Sequence, residues 1–586
     1  MAETDLSSAK LIGGGVMTDS IKQERRRFLQ YSALGVAAAA MPGLALGQAG
    51  WIRTKPTPGF NPDVELEFTT KNAYVQVLNR GPKTRVQKYY ARIIKGPKNT
   101  LQQLKGNYLG PILNYEKGQK VRIYFNNKLS EPSIIHWHGM HVPQSSDGHP
   151  MYSIPPGERF VYEFEVMNRA GTSFYHSHAH ELTAEQVYNG LAGMITVTDE
   201  DEKKLDLPTG QYDIPLVIQD RTYDSKNQLR YLHGMHNRMM GFLGDTILVN
   251  GEPNIQFSVK SRAYRFRALN GSNSRIYKMG WEDGTPMVAI GTDAGLLEKP
   301  ETRPYIMLAP GERVDLWIDF SGHKVGSKLV LYSLPYSGAM PPMYEKMHKG
   351  KQGGSMGGMR GGGMMGGGSL AQGAKFPIAT FKVTEKVSDS PKLPQRLVPF
   401  DRLTERDVDN AHNPIPIAIS MKPMRPLLNG KSFAMDRVMD FEKVPLNSIK
   451  KIKIFHDHGM KKGEHGDDKD MKMQENMKKG GMSGMSMGGG MGMMGGGMAM
   501  SMAHPIHLHG QQYQIISRKM EGMRKEEYAT VNQGFIDSGW KDTVLVMPGE
   551  EIEIIKPFQD FKGLFLYHCH NLEHEDLGMM RQFYIS

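Results

Sequence analysis

Residues 568–574 read His568-Cys569-His570-Asn571-Leu572-Glu573-His574 and contain the only cysteine of this 586-residue chain. Alternate side chains of a β-strand point to opposite faces, so the imidazoles on either side of Cys569 share one face and the thiol occupies the other. Met579 follows five residues after His574. This spacing predicts a strand that carries metal ligands on both of its faces.

Three further His-x-His pairs occur in the chain: His136/His138, His176/His178 and His507/His509. Each pair would place two imidazoles side by side on one face of a strand. A single pair carries little information, because isolated histidines are often structural. Four pairs supply eight imidazoles, which are enough to hold three copper ions and leave open positions for oxygen.

The face that carries the Cys569 thiol predicts a second metal site. On that face the sulfur can meet His504, His574 and Met579. Two imidazoles, one thiolate and a weak axial thioether define a blue-copper electron-transfer site, and this ligand set matches copper better than zinc. The same strand would join the two metal centres through the covalent bonds between Cys569 and its neighbours.

The rest of the chain reads as β-structure from about residue 60 onward. Short runs rich in Val, Ile, Tyr and Phe alternate with polar residues and end at Gly, Pro, Asn or Asp. Closely spaced short strands of this kind predict an all-β protein built from sandwiches or barrels. The clearest predicted strands are 120–125, 160–166, 264–269, 314–320 and 551–555.

A turn followed by an alternating strand recurs at 118–121, 310–314 and 548–552. The recurrence predicts three similar β-domains. We place them at 55–200, 205–386 and 390–586, with charged or proline-containing linkers between them. The histidine motifs then fall in the first and third domains.

The four histidine motifs closely resemble those of the multicopper oxidase family. The resemblance covers nearly the whole chain from about residue 60 and includes Val249-Asn250-Gly251 and Leu269-Asn270-Gly271-Ser272-Asn273. These two motifs lie in the middle domain, which looks like the family's copper-free cupredoxin domain. The resemblance implies three cupredoxin-like domains, each a Greek-key β-barrel or sandwich. It also implies four copper ions, of which three would lie together between the first and last domains.

The resemblance further implies which residues hold each ion. His136 and His507 would hold the type 2 copper. The type 1 copper would be held by His504, Cys569, His574 and Met579, and the type 3 pair by His138, His176, His178, His509, His568 and His570.

Two acids lie beside these motifs. Asp147 has the spacing at which relatives keep an acid near the three-copper cluster, and Glu575 resembles the proton donor of bacterial relatives. Reduction of O₂ to water consumes four protons, so we expect both carboxyl groups to take part in catalysis. The alternatives are a loop-capping aspartate and a surface glutamate.

Two stretches rich in Met and Gly, 340–370 and 456–502, interrupt the β pattern. Neither has the branched apolar surface for a packed core, so we predict surface insertions. Thioether sulfur prefers Cu(I), and the second stretch leads directly into His504. The pattern resembles bacterial cuprous oxidases of copper-efflux systems, although their main insertion lies before the segment that matches Leu428-Asn429-Gly430-Lys431. The alternatives are an inert linker or methionines that absorb oxidants.

The amino-terminal segment Glu24-Arg25-Arg26-Arg27-Phe28-Leu29-Gln30, followed by an Ala-rich run, resembles a twin-arginine signal. We therefore expect residues 1–49 to direct export of the folded protein to the periplasm, and we expect no membrane span in the mature chain. The formal net charge is +11, but Lys and Arg are scattered among acids and no nucleic-acid motif occurs, so no nucleic-acid partner is expected.

Taken with the resemblance, these features predict a monomeric multicopper oxidase. It would couple four one-electron oxidations of Cu(I), phenols or other small aromatic reductants to the reduction of O₂ to water. The alternative is a non-enzymatic periplasmic copper-sequestering protein. The complete ligand set disfavours a relative that has lost its coppers, and a copper nitrite reductase needs neither four His-x-His pairs nor three domains.

Overall fold

The computed structural model describes residues 53–104, 106–231, 234–349, 370–422, 425–457, 501–521 and 524–586. The predicted export signal lies outside these residues, as do 350–369 and 458–500, which contain most of the two methionine-rich stretches. Residues 55–586 form one compact unit. No helix in the described ranges is long and apolar enough to span a bilayer.

The first region of this unit contains nine strands in two sheets. Side chains along the first half of the first strand alternate between buried and partly exposed, which is the pattern of a strand with one face on a core. The sheet orders are β2-β1-β5-β7 and β3-β4-β9-β8-β6. The strands are β1 Val64–Val75, β2 Thr84–Lys95, β3 Leu101–Gln102, β4 Ile112–Glu116, β5 Lys120–Asn127, β6 Ile135–His136, β7 Arg159–Glu165, β8 Gly171–Ser177 and β9 Ala192–Thr198.

The middle region contains twelve strands, again in two sheets. Their orders are β12-β11-β10-β14-β19-β16-β17 and β13-β21-β20-β15-β18. The strands are β10 Asp213–Arg221, β11 Thr246–Val249, β12 Glu252–Pro253, β13 Gln256–Lys260, β14 Ala263–Asn270, β15 Tyr277–Trp281, β16 Met287–Thr292, β17 Gly295–Arg303, β18 Ile306–Leu308, β19 Arg313–Asp319, β20 Lys328–Ser333 and β21 Phe376–Glu385.

The third region contains eleven strands in sheets of order β23-β22-β25-β30-β27-β28 and β24-β32-β31-β26-β29. The strands are β22 Ile415–Lys422, β23 Arg425–Leu428, β24 Lys443–Val444, β25 Ser448–His456, β26 His504–Leu508, β27 Tyr513–Met520, β28 Trp540–Lys541, β29 Thr543–Val546, β30 Glu550–Phe558, β31 Gly563–Cys569 and β32 Met580–Ile585.

Helices in the described residues are short and connect strands. The α-helices are α1 Thr183–Tyr188, α2 Glu200–Lys203, α3 Met235–Met240, α4 Pro342–Lys349, α5 Lys525–Tyr528 and α6 Leu572–Asp576. Single 3₁₀ turns occur at Lys98–Thr100, Gln144–Ser146, Pro150–Tyr152, Gly210–Tyr212, Asp440–Glu442 and Asn532–Gly534.

The three regions repeat one topological feature. In each region the first strand pairs in parallel with a later strand, so that β1 pairs with β5, β10 with β14 and β22 with β25. The other sheet of each region also contains one parallel pair, formed by β4 and β9, by β13 and β21, and by β24 and β32. The all-β prediction is confirmed, and all five predicted strands lie on observed ones. The predicted domain boundaries, at 55–200, 205–386 and 390–586, stay a prediction.

Each sheet pair encloses an apolar core. In the middle region the rings of Phe266, Phe320 and Phe381 are fully buried and contact one another. Burial of a ring of this size contributes about 1.5–3 kcal/mol. In the third region the core includes the side chains of Cys569 and Met579, so the sulfurs predicted to bind metal are part of the packed interior.

Candidate metal centre

Strand register brings the histidine pairs together. In the first region β6 pairs with β8 so that His136 lies directly opposite His176. In the third region β26 pairs with β31 so that His507 lies opposite His568. Directly opposed residues of an antiparallel pair project to the same face with Cβ atoms about 5 Å apart. Each sheet therefore presents a patch of imidazoles.

The two patches face each other and form one buried cluster. The Nε2 atoms of His136 and His507 are 3.4 Å apart, and His568 Nε2 lies 3.1 Å from that of His509 and 3.4 Å from that of His178. Three groups, two of which share His138, have ring nitrogens close enough to hold one ion each. These groups are His136/His138/His507, His138/His176/His570 and His178/His509/His568.

Backbone carbonyls set the orientation of several rings. His136 Nδ1 lies 2.6 Å from the carbonyl of Asp147, His176 Nδ1 lies 2.8 Å from that of Ser177, and His507 Nδ1 lies 2.9 Å from that of Asp542. A carbonyl only accepts hydrogen bonds, so each Nδ1 carries the proton and each Nε2 keeps its lone pair. Those lone pairs are directed toward the centre of the cluster.

The donor set fits metal ions. His138 Nδ1, His176 Nε2 and both ring nitrogens of His570 are buried without a hydrogen-bond partner in the described part of the chain. Burial lowers the pKa of His176 to about 4 and that of His178 to about 3, which keeps these imidazoles neutral. Neutral buried imidazoles whose lone pairs point at one another cannot hydrogen-bond to each other, which is unfavourable in a buried site. The same lone pairs are good ligands for a monovalent or divalent copper ion.

A second donor group lies on the other face of β31. Cys569 Sγ is 3.4 Å from His504 Nδ1 and 3.8 Å from His574 Nδ1, and all three side chains are buried. Burial raises the pKa of the Cys569 thiol, so a thiolate here needs the charge of a bound cation. Met579 donates its backbone N–H to the His574 carbonyl and accepts from the Cys569 N–H, which places it beside this group.

Both sequence-predicted acids contact the histidine cluster. Asp147 is fully buried, and its Oδ2 lies 2.7 Å from His509 Nδ1. Glu575 places Oε2 3.1 Å from His568 Nδ1 and Oε1 3.6 Å from His178 Nδ1. Both side chains are buried, so neither is a surface group; Asp147 also ends the 3₁₀ turn Gln144–Ser146, where its backbone N–H donates to the Gln144 carbonyl.

The two carboxyl groups differ in their electrostatics. Burial raises the pKa of Asp147, although the buried ammonium of Lys556 opposes the shift. Burial also disfavours ionisation of Glu575, but the imidazoles of His178 and His568 outweigh burial and hold its pKa below the ordinary value.

Several groups at the site were not predicted from the sequence. Asp542 Oδ1 lies 3.1 Å from His138 Nε2, and the guanidinium of Arg313 is bonded to both Asp542 oxygens. On the other centre, His574 Nε2 donates to the carbonyl of Met239 at 3.0 Å. These partners come from distant parts of the chain and have no motif spacing that would reveal them.

The glycine that ends the first His-x-His motif has a structural reason. Gly139 has a φ of +88°, and a Cβ there would collide with the Arg313 guanidinium and lie 2.8 Å from Asp542 Oδ2. An L-residue in the left-handed region costs about 1–2 kcal/mol before any collision. Gly157 has a similar φ of +84° but open space around it.

We therefore expect Gly139→Ala to destabilise the protein by at least about 2 kcal/mol more than Gly157→Ala, because the collision adds to the backbone strain shared by both. Denaturant unfolding of the two variants measures the difference. Equal destabilisation by the two substitutions would contradict the close approach of Arg313 and Asp542 to this turn.

Comparison with known proteins agrees with this geometry. Two family models described as multicopper oxidase match residues 85–202 and 491–586. A multicopper oxidase of Staphylococcus epidermidis is 30% identical over 483 residues, which are 82% of this chain and 83% of that protein. A laccase of Bacillus subtilis is 27% identical over 536 residues, 83% of this chain and 90% of that protein.

A solved structure shares the fold. The McoA multicopper oxidase from the hyperthermophile Aquifex aeolicus superposes with a TM-score of 0.66 at 31% identity, over 90% of this chain and 97% of that one. The prediction of cupredoxin-like architecture is thereby confirmed. With such similarity over nearly its whole described length, the chain belongs to the multicopper oxidase family, as a laccase-like oxidoreductase that uses copper.

Proposed function

We propose that this enzyme couples four one-electron oxidations of Cu(I), or of phenolic compounds, to the four-electron reduction of O₂ to water. The observation that carries the proposal is the pair of donor groups on opposite faces of β31: the thiol group on one face and the eight-histidine cluster on the other. Copper bound at these two places would accept electrons singly from the reductant and deliver them to O₂.

The proposed ligand set follows the donor groups. One type 1 copper would be held by the Cys569 group together with the Met579 thioether. One type 2 and two type 3 coppers would be held by the eight imidazoles, the type 2 ion by His136 and His507. The type 3 ligands would be His138, His176 and His570 for one ion, and His178, His509 and His568 for the other.

The protein brings the two centres close by covalent connection. Cys569 is peptide-bonded to His568 and to His570, and these two histidines belong to different imidazole groups. A few bonds of β31 therefore separate the thiol from each group. No diffusing carrier is needed between the place where a reductant is oxidised and the place where O₂ is reduced.

Protons for water formation would pass through the two buried carboxyl groups. Glu575 contacts the remote nitrogens of His178 and His568, and Asp147 contacts that of His509. Both acids therefore lie behind the rings, against Nδ1 atoms rather than against the Nε2 atoms that approach one another in the cluster. A carboxyl oxygen at this place can take up a proton and release it toward the cluster without displacing a ligand.

Burial of the type 1 imidazoles favours a small reductant. His504 is 2% exposed and His574 is fully buried, with its Nε2 occupied by the Met239 carbonyl. The nearby side chains of Met340 and Met502 pack with Tyr344, and Met240 packs against them. Thioethers are soft ligands that suit Cu(I), whereas a phenol needs an accessible imidazole edge.

Family membership disfavours the copper-sequestering alternative, since the multicopper oxidases named above are oxidoreductases. The remaining proposals concern the setting of the enzyme. We propose that residues 1–49 direct twin-arginine export to the periplasm, that the mature enzyme is a monomer, and that its cupredoxin-like domains span 55–200, 205–386 and 390–586.

We expect Cys569→Ser to abolish the blue thiolate-to-copper absorption and the oxidase activity, because the hydroxyl cannot replace the thiolate. The eight-histidine cluster should keep its copper, so metal analysis should show the loss of one ion. Met579→Leu is the matched control: it removes a weak thioether donor from the same core and should leave the protein blue. A blue Cys569→Ser protein would refute the type 1 assignment.

We expect Glu575→Gln to slow O₂ reduction by about 100-fold or more while slowing reduction of the type 1 copper far less, because an amide cannot relay a proton. Stopped-flow measurement of the two half-reactions tests this. Glu573→Gln is the control, since Glu573 is an equally buried acid of α6 that contacts Tyr231 and Asn273 and makes no described contact with the cluster. Equal slowing of both half-reactions by Glu575→Gln would count against the proton role.

Deletion of residues 471–498 with a short Gly-Ser bridge should lower the rate with Cu(I) and leave or raise the rate with a bulky phenol. The deleted thioethers would collect Cu(I), while none of the proposed ligands lies in the span. Oxygen uptake with each substrate, alongside copper content, provides the measurement. A proportional loss of both rates would mark the segment as structural, and no change would mark it as an inert linker.

A further inference from the structure

One arginine of the middle region reaches the histidine cluster through a single aspartate. Arg313 opens β19, directly after the turn at 310–312, and its side chain is about 1% exposed. All five guanidinium N–H groups are used. Nη1 and Nη2 donate to the two Asp542 oxygens at 2.7 and 2.5 Å, and the remaining acceptors are the carbonyls of Thr172, Gly311 and Asp293.

Asp542 in turn holds two imidazoles. Its Oδ1 lies 3.1 Å from His138 Nε2, and its carbonyl accepts from His507 Nδ1 at 2.9 Å. In both rings the other nitrogen faces the cluster: His138 Nδ1 has no hydrogen-bond partner in the described ranges, and His507 Nε2 faces His136. Asp542 therefore decides which nitrogen each of these rings turns inward.

Asp293, an acid of the middle region, fixes the backbone around Asp542. Asp293 Oδ1 accepts the Arg313 N–H at 2.8 Å. Its Oδ2 accepts the N–H groups of Asp542 and Thr543 at 3.3 and 3.2 Å and pairs with Lys541 Nζ at 3.0 Å. Side chain and backbone of Asp542 are thus both held by residues that precede it by more than two hundred positions.

We propose that Arg313 is a positioning residue for the three-copper cluster, which it serves by holding Asp542 against His138 and His507. The proposal rests on the ligand set given under Proposed function. It assigns a task to a region that supplies none of the proposed ligands. Lysine cannot perform this task, because a single ammonium has three donors and no planar fork to match a carboxylate.

Loss of this fork has a specific consequence for metal binding. Without Arg313 the Asp542 carboxylate keeps the hydrogen bond from the Thr543 hydroxyl but loses its two-pronged partner, so it can turn away from His138. The His138 ring would then keep only the Thr543 hydroxyl, 3.2 Å from Nε2, among the described partners of that nitrogen. Substitution of residues that hydrogen-bond a metal ligand typically weakens metal affinity by about 10–100-fold. The thiol group on the other face of β31 has no described contact with Arg313 or Asp542, so its copper should be unaffected.

Arg313→Lys in the full copper-loaded protein tests the proposal. Variant and parent are dialysed against a graded copper chelator, and copper content, the type 2 paramagnetic resonance signal and the blue absorption are recorded. We expect the type 2 signal to be altered and the cluster copper to be lost at about 10–100-fold lower chelator strength, with the blue absorption retained. Unchanged signal and retention would overturn the proposal.

Arg265→Lys is the matched control. Arg265 is an equally buried arginine of the same sheet that pairs with Asp315 and Glu202, and it makes no described contact with the cluster. Both variants lose a buried fork, so both should lose stability in denaturant unfolding. If Arg265→Lys weakens cluster copper as much as Arg313→Lys does, the effect is general destabilisation and the proposal fails.

A second variant covers failure of Arg313→Lys to fold. Asp542→Asn keeps the shape of the side chain and should weaken cluster copper in the same way, and full retention would overturn the proposal. Where both variants fold, the double variant should lose no more affinity than the more damaging single one, because both act through one contact. Additive losses would show separate roles and refute it. Absence of cluster copper from the unaltered protein would instead refute the proposed ligand set.

Discussion

The structure depends on imidazole nitrogens that face one another across two sheets at 3.4 Å. Neutral rings whose lone pairs converge in a buried space gain nothing from each other, and burial deprives them of water. A cation at the centre reverses this balance, because it binds every lone pair at once. Metal binding to the folded form then also stabilises the fold, by a free energy that grows with the logarithm of the ratio of the ion concentration to its dissociation constant.

Convergence of this kind requires that the ring nitrogens facing away from the cluster be held by hydrogen bonds. Carbonyls of Asp147, Ser177 and Asp542 hold three of them, and carboxylates of Asp147 and Asp542 hold two more. The middle region contributes at both centres although it contains none of the proposed ligands. It supplies Arg313 behind one centre and the Met239 carbonyl behind the other.

Close packing of the middle region also explains a second glycine. Gly311 has a φ of +83°, and a Cβ there would lie 2.9 Å from the His570 ring. The turn at 310–312 was recognised in the sequence only as part of a repeat. In the structure it forms a wall of the cluster against a ring that has no hydrogen-bond partner among the described residues.

Much of the site could be predicted from the sequence because it depends on period-two alternation. The His-x-His spacing and the position of Cys569 between two histidines already separate the two faces of β31, and the structure brings together these imidazoles and the thiol as expected. Asp147 and Glu575 were found through family resemblance, since an acid near a motif has no spacing rule of its own. The helix α6, which carries His574 and Glu575, was not predicted.

The contacts of Arg313 with Asp542 could not be predicted from strand alternation or from motif spacing. The two residues are 229 positions apart, with Arg313 in β19 of the middle region and Asp542 between β28 and β29 of the third, so their pairing depends on how whole regions pack. Buried Arg, Asp and Lys residues read as surface charge in a sequence, because composition carries no information on burial. Only the structure shows that Arg313 and Asp542 neutralise each other, and that Asp542 also contacts His138. Local periodicity therefore identifies the groups that bind a metal, whereas the groups that orient them are set by long-range packing.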